Sequence, residues 1–425
     1  MKRREILQLG GVSALLGLAG CAGIEPGGAS KAKVLVVGGG FGGATAARYV
    51  RLLSNHQIDV TLVEPQSAFV SCAMSNLVVG GSRQLAEVTM PYDGLASRHG
   101  VRVVRDRVSS IDTQKKVATL ATGATIAYDK LVLSPGVDML LDSVEGLSAA
   151  HASGQVVHAW KAGAETQALR RQLEAMPDGA VFAISAPEMP YRCPPAPYER
   201  ACLVAEYMRS HKPRSKVLLL DANRDVVAKG PLFKKVWAEQ YAGLIEYRPQ
   251  HRVVGVDTGA GLIKIDGQSD VRAAVMNVVP AMRAGQIAVS TGLVAPGSRW
   301  CPVNLQSFES TLAKDVHVIG DAVQSPPGMP KSGHMANNQA KVAAAAIVAE
   351  LSGLELNPSP ILMNACYSWV STKSSIHLAG LYEYIAAEKT YKPVAGAGGV
   401  SAAPNEVEGG FAWDWARSTW ADTLA

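Results

Sequence analysis

The chain of 425 residues has little charge and few aromatic side chains, 18% and 6% respectively, and its net charge of +5 is modest for the length. No basic run is interleaved with aromatics, so a nucleic-acid role has no footprint, and no nucleic-acid partner is expected. The six cysteines, at 21, 72, 193, 202, 301 and 366, lie far apart and form neither a C-x-x-C nor a C-x-x-C-H pattern. That excludes a zinc ribbon and a c-type haem carried on this chain, and no metal ligand set is expected. The apolar run near the N-terminus is too short for a membrane span, so none is expected in the mature chain. What is present is an ordinary globular balance, with 48% hydrophobic residues, and 41 glycines suit an α/β protein with many tight turns. The length predicts two or three domains.

Met1-Lys-Arg-Arg-Glu followed by apolar residues through Leu18 has the form of an export signal. Arg3 and Arg4 resemble a twin-arginine signal, which predicts export of a chain already folded around its cofactor, to the periplasm. Leu18-Ala-Gly-Cys21 reads equally as a lipobox that would tether the protein at Cys21 or as a signal tail that contains a cysteine. Ile24 to Ala32 reads as a tether.

Lys33 to Val50 organises the rest of the chain: a buried strand runs into a glycine turn and then a small-residue helix. Gly38, Gly40 and Gly43 fit G-x-G-x-x-G. The first permits the tight turn, the second lets backbone approach a pyrophosphate, and the third lets helix and strand lie close. Ile58 to Glu64 is the next strand, and Glu64 stands about 20 residues beyond the glycines, where a ribose-binding carboxylate belongs. Cys72, in the loop after that strand, reads by itself as a small buried hydrophobe.

A second strand-turn unit begins at Gly179 to Ser185, and its turn, from Ala186 to Pro197, contains no glycine. Side chains and proline rings would keep the backbone from a pyrophosphate, and the prolines remove N–H donors. The pattern therefore predicts no NAD(P)H site, although the helix Tyr198 to Ser210 and the strand Lys216 to Asp221 keep the scaffold. Later, Val316 to Ala322 is a strand ending in Gly-Asp. Asp321 could accept a hydrogen bond from a flavin ribityl hydroxyl, or the pair could be a common turn. Lys331, before the helix His334 to Leu351, could stabilise negative charge on a reduced flavin, or be a solvated lysine beside a capped helix.

With Tyr128-Asp-Lys through Gly136, His158-Ala-Trp-Lys-Ala-Gly163, Tyr191-Arg-Cys-Pro-Pro-Ala-Pro-Tyr-Glu-Arg200, Trp300-Cys-Pro-Val303, Phe308-Glu-Ser310, Val318-Ile-Gly-Asp321, Met329-Pro-Lys-Ser-Gly333 and Asn364-Ala-Cys-Tyr-Ser368, the chain from Lys33 onward resembles the flavoprotein subunit of flavocytochrome c sulfide dehydrogenase. The resemblance implies FAD held covalently through Cys72, a redox disulfide of Cys193 and Cys366, and a proton-carrying Glu199. Hydrosulfide would open the disulfide to a persulfide and a thiolate, with Lys331 among the catalytic residues, and electrons would pass to a c-type cytochrome subunit that carries the haem. Cys202 and Cys301 read as structural.

The expected fold is α/β: two Rossmann-like, dinucleotide-binding domains of the glutathione-reductase type and a small C-terminal α+β domain. The expected boundaries are 1–30 for signal and linker, 31–145 with 287–355 for a discontinuous FAD domain, 146–286 for the second nucleotide-fold domain without an NAD site, and 356–425 for the tail. One rival reading is a sulfide:quinone oxidoreductase, which should carry a basic, membrane-seeking C-terminal helix. Phe411 to Ala425 instead has Asp414 and Asp422 against one Arg417. The other is a non-catalytic flavin-binding partner of a cytochrome.

Overall fold

The computed structural model describes residues 31–425; the Arg3-Arg4 signal, the apolar run and Cys21 lie outside the described residues. Val34, Leu35 and Val36 are almost wholly buried, as a continuous apolar run must be when both faces of a parallel sheet are covered. Lys33–Val37 is the middle of that sheet, flanked in parallel by Asp59–Val63 on one side and Lys130–Leu133 on the other. Arg102–Val104 extends the sheet beyond Asp59–Val63, and Val316–Val318 lies beside Lys130–Leu133. A short antiparallel hairpin, Val303–Asn304 with Glu309–Ser310, completes seven strands.

The parallel strands all point their carboxyl ends the same way, so the segments leaving Val37, Val63, Leu133 and Val318 collect along one edge. Backbone bonds continue past the strands there, Gly38 N donating to Val63 O (3.0 Å), Ser134 N to Val37 O (2.9 Å) and Ile319 N to Leu133 O (3.1 Å). Behind that edge two helices, Phe41–Leu53 and Gly333–Leu351, pack through small side chains, among them Ala44, Ala47, Ala340 and Ala343, all fully buried.

A second parallel sheet has the order Ile245–Arg248, Lys216–Asp221, Val181–Ala186, Val275–Asn277. Its turn leads into the helix Ala196–His211. The tail forms a three-stranded antiparallel sheet, Ile361–Trp369, Ser375–Ile385 and Thr390–Val400, followed by the helix Glu406–Leu424. This helix is pinned to the first unit by polar groups. Asn337 Nδ2 donates to Thr45 Oγ1 and to Asp422 Oδ2, both at 2.9 Å, and Tyr49 OH donates to Asp422 Oδ1 at 2.6 Å. Cys301 forms an isolated bridge with Val323, and its side chain is buried.

Candidate active site: a glycine cradle and three converging cysteines

The glycine turn is built as the spacing requires. Gly38 has φ +96°, and a Cβ there would meet Ser134 O at 2.4 Å; a Cβ on Gly43 would meet Gly38 O at 1.8 Å. Gly40 is different, because a Cβ there would meet nothing within 4 Å. It borders open space at the amino end of the Phe41–Leu53 helix, which has no side-chain cap, so its free N–H groups face the cleft. Glu64 accepts from Gly39 N (2.6 Å) and Gln66 N (2.8 Å) and lines the same cleft of about 520 Å³. At the other end of the cleft Asp321 Oδ1 is buried without a hydrogen-bond partner among the described residues. A bare helix terminus, a carboxylate beside the glycine turn and an orphaned oxygen farther along suit pyrophosphate, ribose and ribityl hydroxyls in turn, so the residues present fit FAD.

A smaller cavity of about 70 Å³ adjoins this cleft, and Cys72, Arg192, Phe41 and Gly333 line both. Cys193, Cys366 and Glu199 line the small cavity. Cys193 is fixed by its backbone: its N–H donates to Lys331 O (2.8 Å), its carbonyl accepts from Ala196 N (3.0 Å), and its φ is +57°, a left-handed conformation uncommon outside glycine. Trp160 Nε1 donates to Arg192 O (2.9 Å) and Tyr191 OH to Pro194 O (3.0 Å), which stiffens the loop further. Cys366 comes from the Ile361–Trp369 strand of the tail. Burial, and then the neighbouring Cys366, Cys72 and Glu199, push the Cys193 thiol well up. Cys193 and Cys366 are both free thiols here, so the expected disulfide is absent as a bond; what the structure supplies is two sulfurs around one cavity.

Glu199 lies in the first turn of the Ala196–His211 helix and accepts from Asn76 Nδ2 (3.1 Å). Burial raises its carboxyl to about 7, against the opposing pull of Asn76 and Lys229. Arg200, one residue on, is buried and ties Asn76 Oδ1, His158 O, Ala159 O and Asn277 Oδ1 together. That gives the His158-to-Gly163 motif a physical role as backbone anchor for Arg200 and, through Trp160, for the Cys193 loop. His151, His158 and Glu165 come within 4.8 Å of one another. Trp160 N already donates to His158 Nδ1 (3.0 Å) and Ala159 N to Glu165 Oε2 (2.8 Å), so these atoms are used in holding the chain.

Lys331 is placed differently from the expectation. Its Nζ lines neither cavity; it donates to Asp321 O (3.0 Å) and Val323 O and lies 3.8 Å from the Trp300 ring centroid. Burial pushes the ammonium down to about 8. The reason is local: Ser332 Oγ caps the next helix by accepting from Met335 N (3.0 Å), and Gly333 lines the cleft, while the lysine reaches back to the carbonyls of the Gly320–Ala322 turn and of Val323. Sequence reasoning also gave no role to Arg192. Its Nε is 3.7 Å from Asp321 Oδ2, and despite the cost of burial, Cys72, Asp321 and Cys193 hold it firmly protonated. The signal was its position immediately before Cys193.

In the second unit Asp221 ends its strand as Glu64 does in the first, but its carboxylate is enclosed. Oδ2 accepts from Tyr198 OH (2.7 Å) and Tyr247 OH (3.1 Å), and Oδ1 from Asn223 N (2.9 Å) and Nδ2 (2.8 Å). No acceptor is left over for a ribose.

Comparison with known proteins accords with this geometry. Residues 166–280 match the family model described as the central part of the sulfide dehydrogenase [flavocytochrome c] flavoprotein chain, and residues 358–424 match the flavin-binding part of flavocytochrome c sulphide dehydrogenase. The flavoprotein chain of that enzyme from Chlorobaculum thiosulfatiphilum is 61% identical over 46 residues, which cover 94% of that sequence and 11% of this chain. The chain belongs to this family. Residues 32–177 of this flavocytochrome c sulfide dehydrogenase flavoprotein relative also match the pyridine nucleotide-disulphide oxidoreductase model. A mitochondrial sulfide:quinone oxidoreductase of Dictyostelium discoideum is 23% identical over 337 residues, 76% of this chain and 72% of that one. The solved sulfide:quinone oxidoreductase of Aquifex aeolicus superposes with a TM-score of 0.75 at 18% identity, over 92% of this chain and 91% of that one, and shares the fold. The expected α/β fold, with a small C-terminal domain, is thus shown.

Proposed function

We propose that this FAD-dependent, sulfide-oxidising oxidoreductase works through a Cys193–Cys366 redox pair and passes its electrons to a c-type cytochrome subunit. The observation that carries the reading is the junction of the two cavities, where Cys72 and Arg192 border both the glycine-cradle cleft and the space shared by Cys193, Cys366 and Glu199. In the oxidised pair, hydrosulfide forms a bond to one sulfur while the Cys193–Cys366 bond breaks, giving a persulfide on one cysteine and a thiolate on the other. The glycine turn, Glu64 and Asp321 would hold FAD, which would supply the acceptor for the electron pair. Arg192 offsets negative charge at the junction, and Glu199 takes the proton of the incoming sulfide. The proline-held loop keeps the Cys193 sulfur in place for each turnover.

A cytochrome acceptor is favoured over a quinone by the tail. The Glu406–Leu424 helix buries Ala412, Ala416, Trp420 and Leu424, and Asp422 is bound to Lys341 (2.7 Å), so the helix is docked on the protein rather than presenting a basic face. Among the described residues no helix is long and apolar enough to cross a membrane. The test is anaerobic addition of sulfide followed by either oxidised cytochrome c or a soluble quinone. Flavin bleaching followed by faster reoxidation with cytochrome is expected. Absence of bleaching would favour the non-catalytic partner, and preference for quinone would reassign the acceptor.

NADH and NADPH at micromolar concentration are expected to leave the flavin oxidised, since the second turn lacks glycine and Asp221 is fully engaged. Bleaching by either, followed at the flavin absorbance band, would overturn this.

Glu199 gives a pH prediction. Its folded pKa is raised, from 4.5 to about 7, so its protonated form is the favoured one in the fold. The contribution to stability is complete below the unfolded pKa and is lost as pH rises through 7, by an amount on the order of 3 kcal/mol. Glu199→Gln should therefore flatten the fall in melting temperature between pH 5 and pH 8. It should also remove the limb near pH 7 from kcat at saturating sulfide and lower kcat by about 10²-fold. An unchanged kcat profile would remove Glu199 from the proton path.

A further inference from the structure

Lys229 was singled out by nothing in the sequence, yet its side chain reaches the sulfur site from behind. It precedes the helix Gly230–Gln240 with φ +56°, a left-handed conformation that glycine or asparagine would adopt more easily. A lysine in that place suggests that the side chain itself is needed. The residue is buried, and its Nζ donates to Cys366 O (2.8 Å) and Ser368 Oγ (2.7 Å), with Ile376 O at 3.5 Å and Cys366 Sγ at 3.8 Å. These partners are neutral oxygens and one sulfur. A buried ammonium is costly without a counter-charge, and two groups near it can carry one: Glu199, whose carboxyl feels the lysine, and Cys366. Cys193 lines the same cavity, and among the described residues no ammonium is bonded to its sulfur; its Arg192 neighbour is shared with Cys72 and Asp321.

We infer that Lys229 is a positioning residue for Cys366, holding that strand by its carbonyl and giving its sulfur the counter-charge that makes Cys366 the more reactive thiol of the pair. The inference rests on Cys193 and Cys366 being the working sulfurs. Two bonds to neutral oxygens fix the ammonium 3.8 Å from the Cys366 sulfur. The two cysteines are therefore unequal, although they border the same cavity: one has an ammonium 3.8 Å from its sulfur and the other is pushed towards its neutral form by burial.

The test is alkylation of the reduced holoprotein with iodoacetamide, in which the sulfur bonds to the acetamide carbon as iodide leaves, with each cysteine counted by peptide mass. In the wild-type protein Cys366 should be labelled about tenfold faster than Cys193 or more. Lys229→Met should abolish that advantage while leaving Cys193 labelling unchanged, and Lys229→Arg, which keeps the charge, should restore most of it. Lys229→Gln keeps a donor for Ser368 without the charge and should behave like Lys229→Met; it decides the matter if the methionine variant does not fold. Wild-type labelling of Cys366 in the uncharged variants would overturn the inference, and so would an arginine variant as slow as they are, because shape and not charge would then be responsible. The assay uses neither sulfide nor an electron acceptor. A wild-type protein that shows the labelling asymmetry but is not bleached by sulfide would sink the functional reading alone.

Discussion

Serine in place of Cys193 or Cys366 should each lower sulfide-dependent cytochrome c reduction by about 10²-fold or more, the loss expected when covalent catalysis is removed. Neither change should disturb the fold. Serine has the branching of cysteine, so it tolerates the left-handed turn at position 193 to the same degree, and the backbone bonds from Cys193 N to Lys331 O and from Ala196 N to Cys193 O do not involve the sulfur. Cys366 is held through its carbonyl by Lys229 and through the strand ladder, which the substitution also spares. Cys202→Ser is the control. That sulfur is fully buried, accepts from Trp237 Nε1 at 3.3 Å and does not line the cavity, so the substitution should cost about 1 kcal/mol of stability and leave turnover near normal. If either Cys193→Ser or Cys366→Ser kept wild-type turnover with unchanged flavin content, the redox pair would have to be abandoned.

The contrast between those cysteines shows what a sequence can and cannot announce. The cradle is local: strand, turn and helix lie within Lys33 to Leu53, and the steric demand on Gly38 and Gly43 is met by atoms of the same unit, so spacing alone is informative. Glu64 and Asp321 follow from strand ends for the same reason, since parallel strands deliver their carboxyl ends to one edge. The meeting of Cys193 with Cys366 joins the second unit to the tail, and no periodicity encodes such a contact; only the family resemblance suggested it. Lys229 and Arg192 went unassigned because a single cation has no pattern. Lys331 was misplaced by a sound general rule, that charge beside a helix terminus serves a ligand, which failed where backbone carbonyls offered the ammonium a nearer home. The tail sheet was illegible for another reason. Its last strand contains Pro393, Gly396, Gly398 and Gly399, residues that weaken strand propensity, and at Gly398 a Cβ would meet Ala379 O at 2.3 Å, so the glycine serves close pairing.

Protein precipitated with acid should stay yellow, and Cys72→Ser should release its flavin to the supernatant. Cys72 sits in the loop between Phe69–Val70 and the helix Ser75–Gly80, half-buried and bordering both the cradle cleft and the sulfur cavity. The loop is held on several sides. Ser75 Oγ donates to Cys72 O (2.8 Å), Ser71 Oγ to Ala73 O (2.9 Å), Trp420 Nε1 to Ser71 Oγ (2.9 Å) and Trp369 Nε1 to Met74 Sδ (2.9 Å). Two of those donors come from the tail, so the sulfur is placed by the same part of the chain that supplies Cys366. Fixing a sulfur against the cleft is what a thioether to the flavin's 8α carbon requires. Serine preserves the loop bonds, all of which are made by neighbours or by the backbone, while removing the only atom able to form the link, so the variant should fold and bind FAD reversibly. Flavin carried by the Cys72 peptide after digestion, read by mass, is the positive result. Free FAD in the wild-type supernatant, or a yellow pellet from Cys72→Ser, would place the cofactor's retention elsewhere.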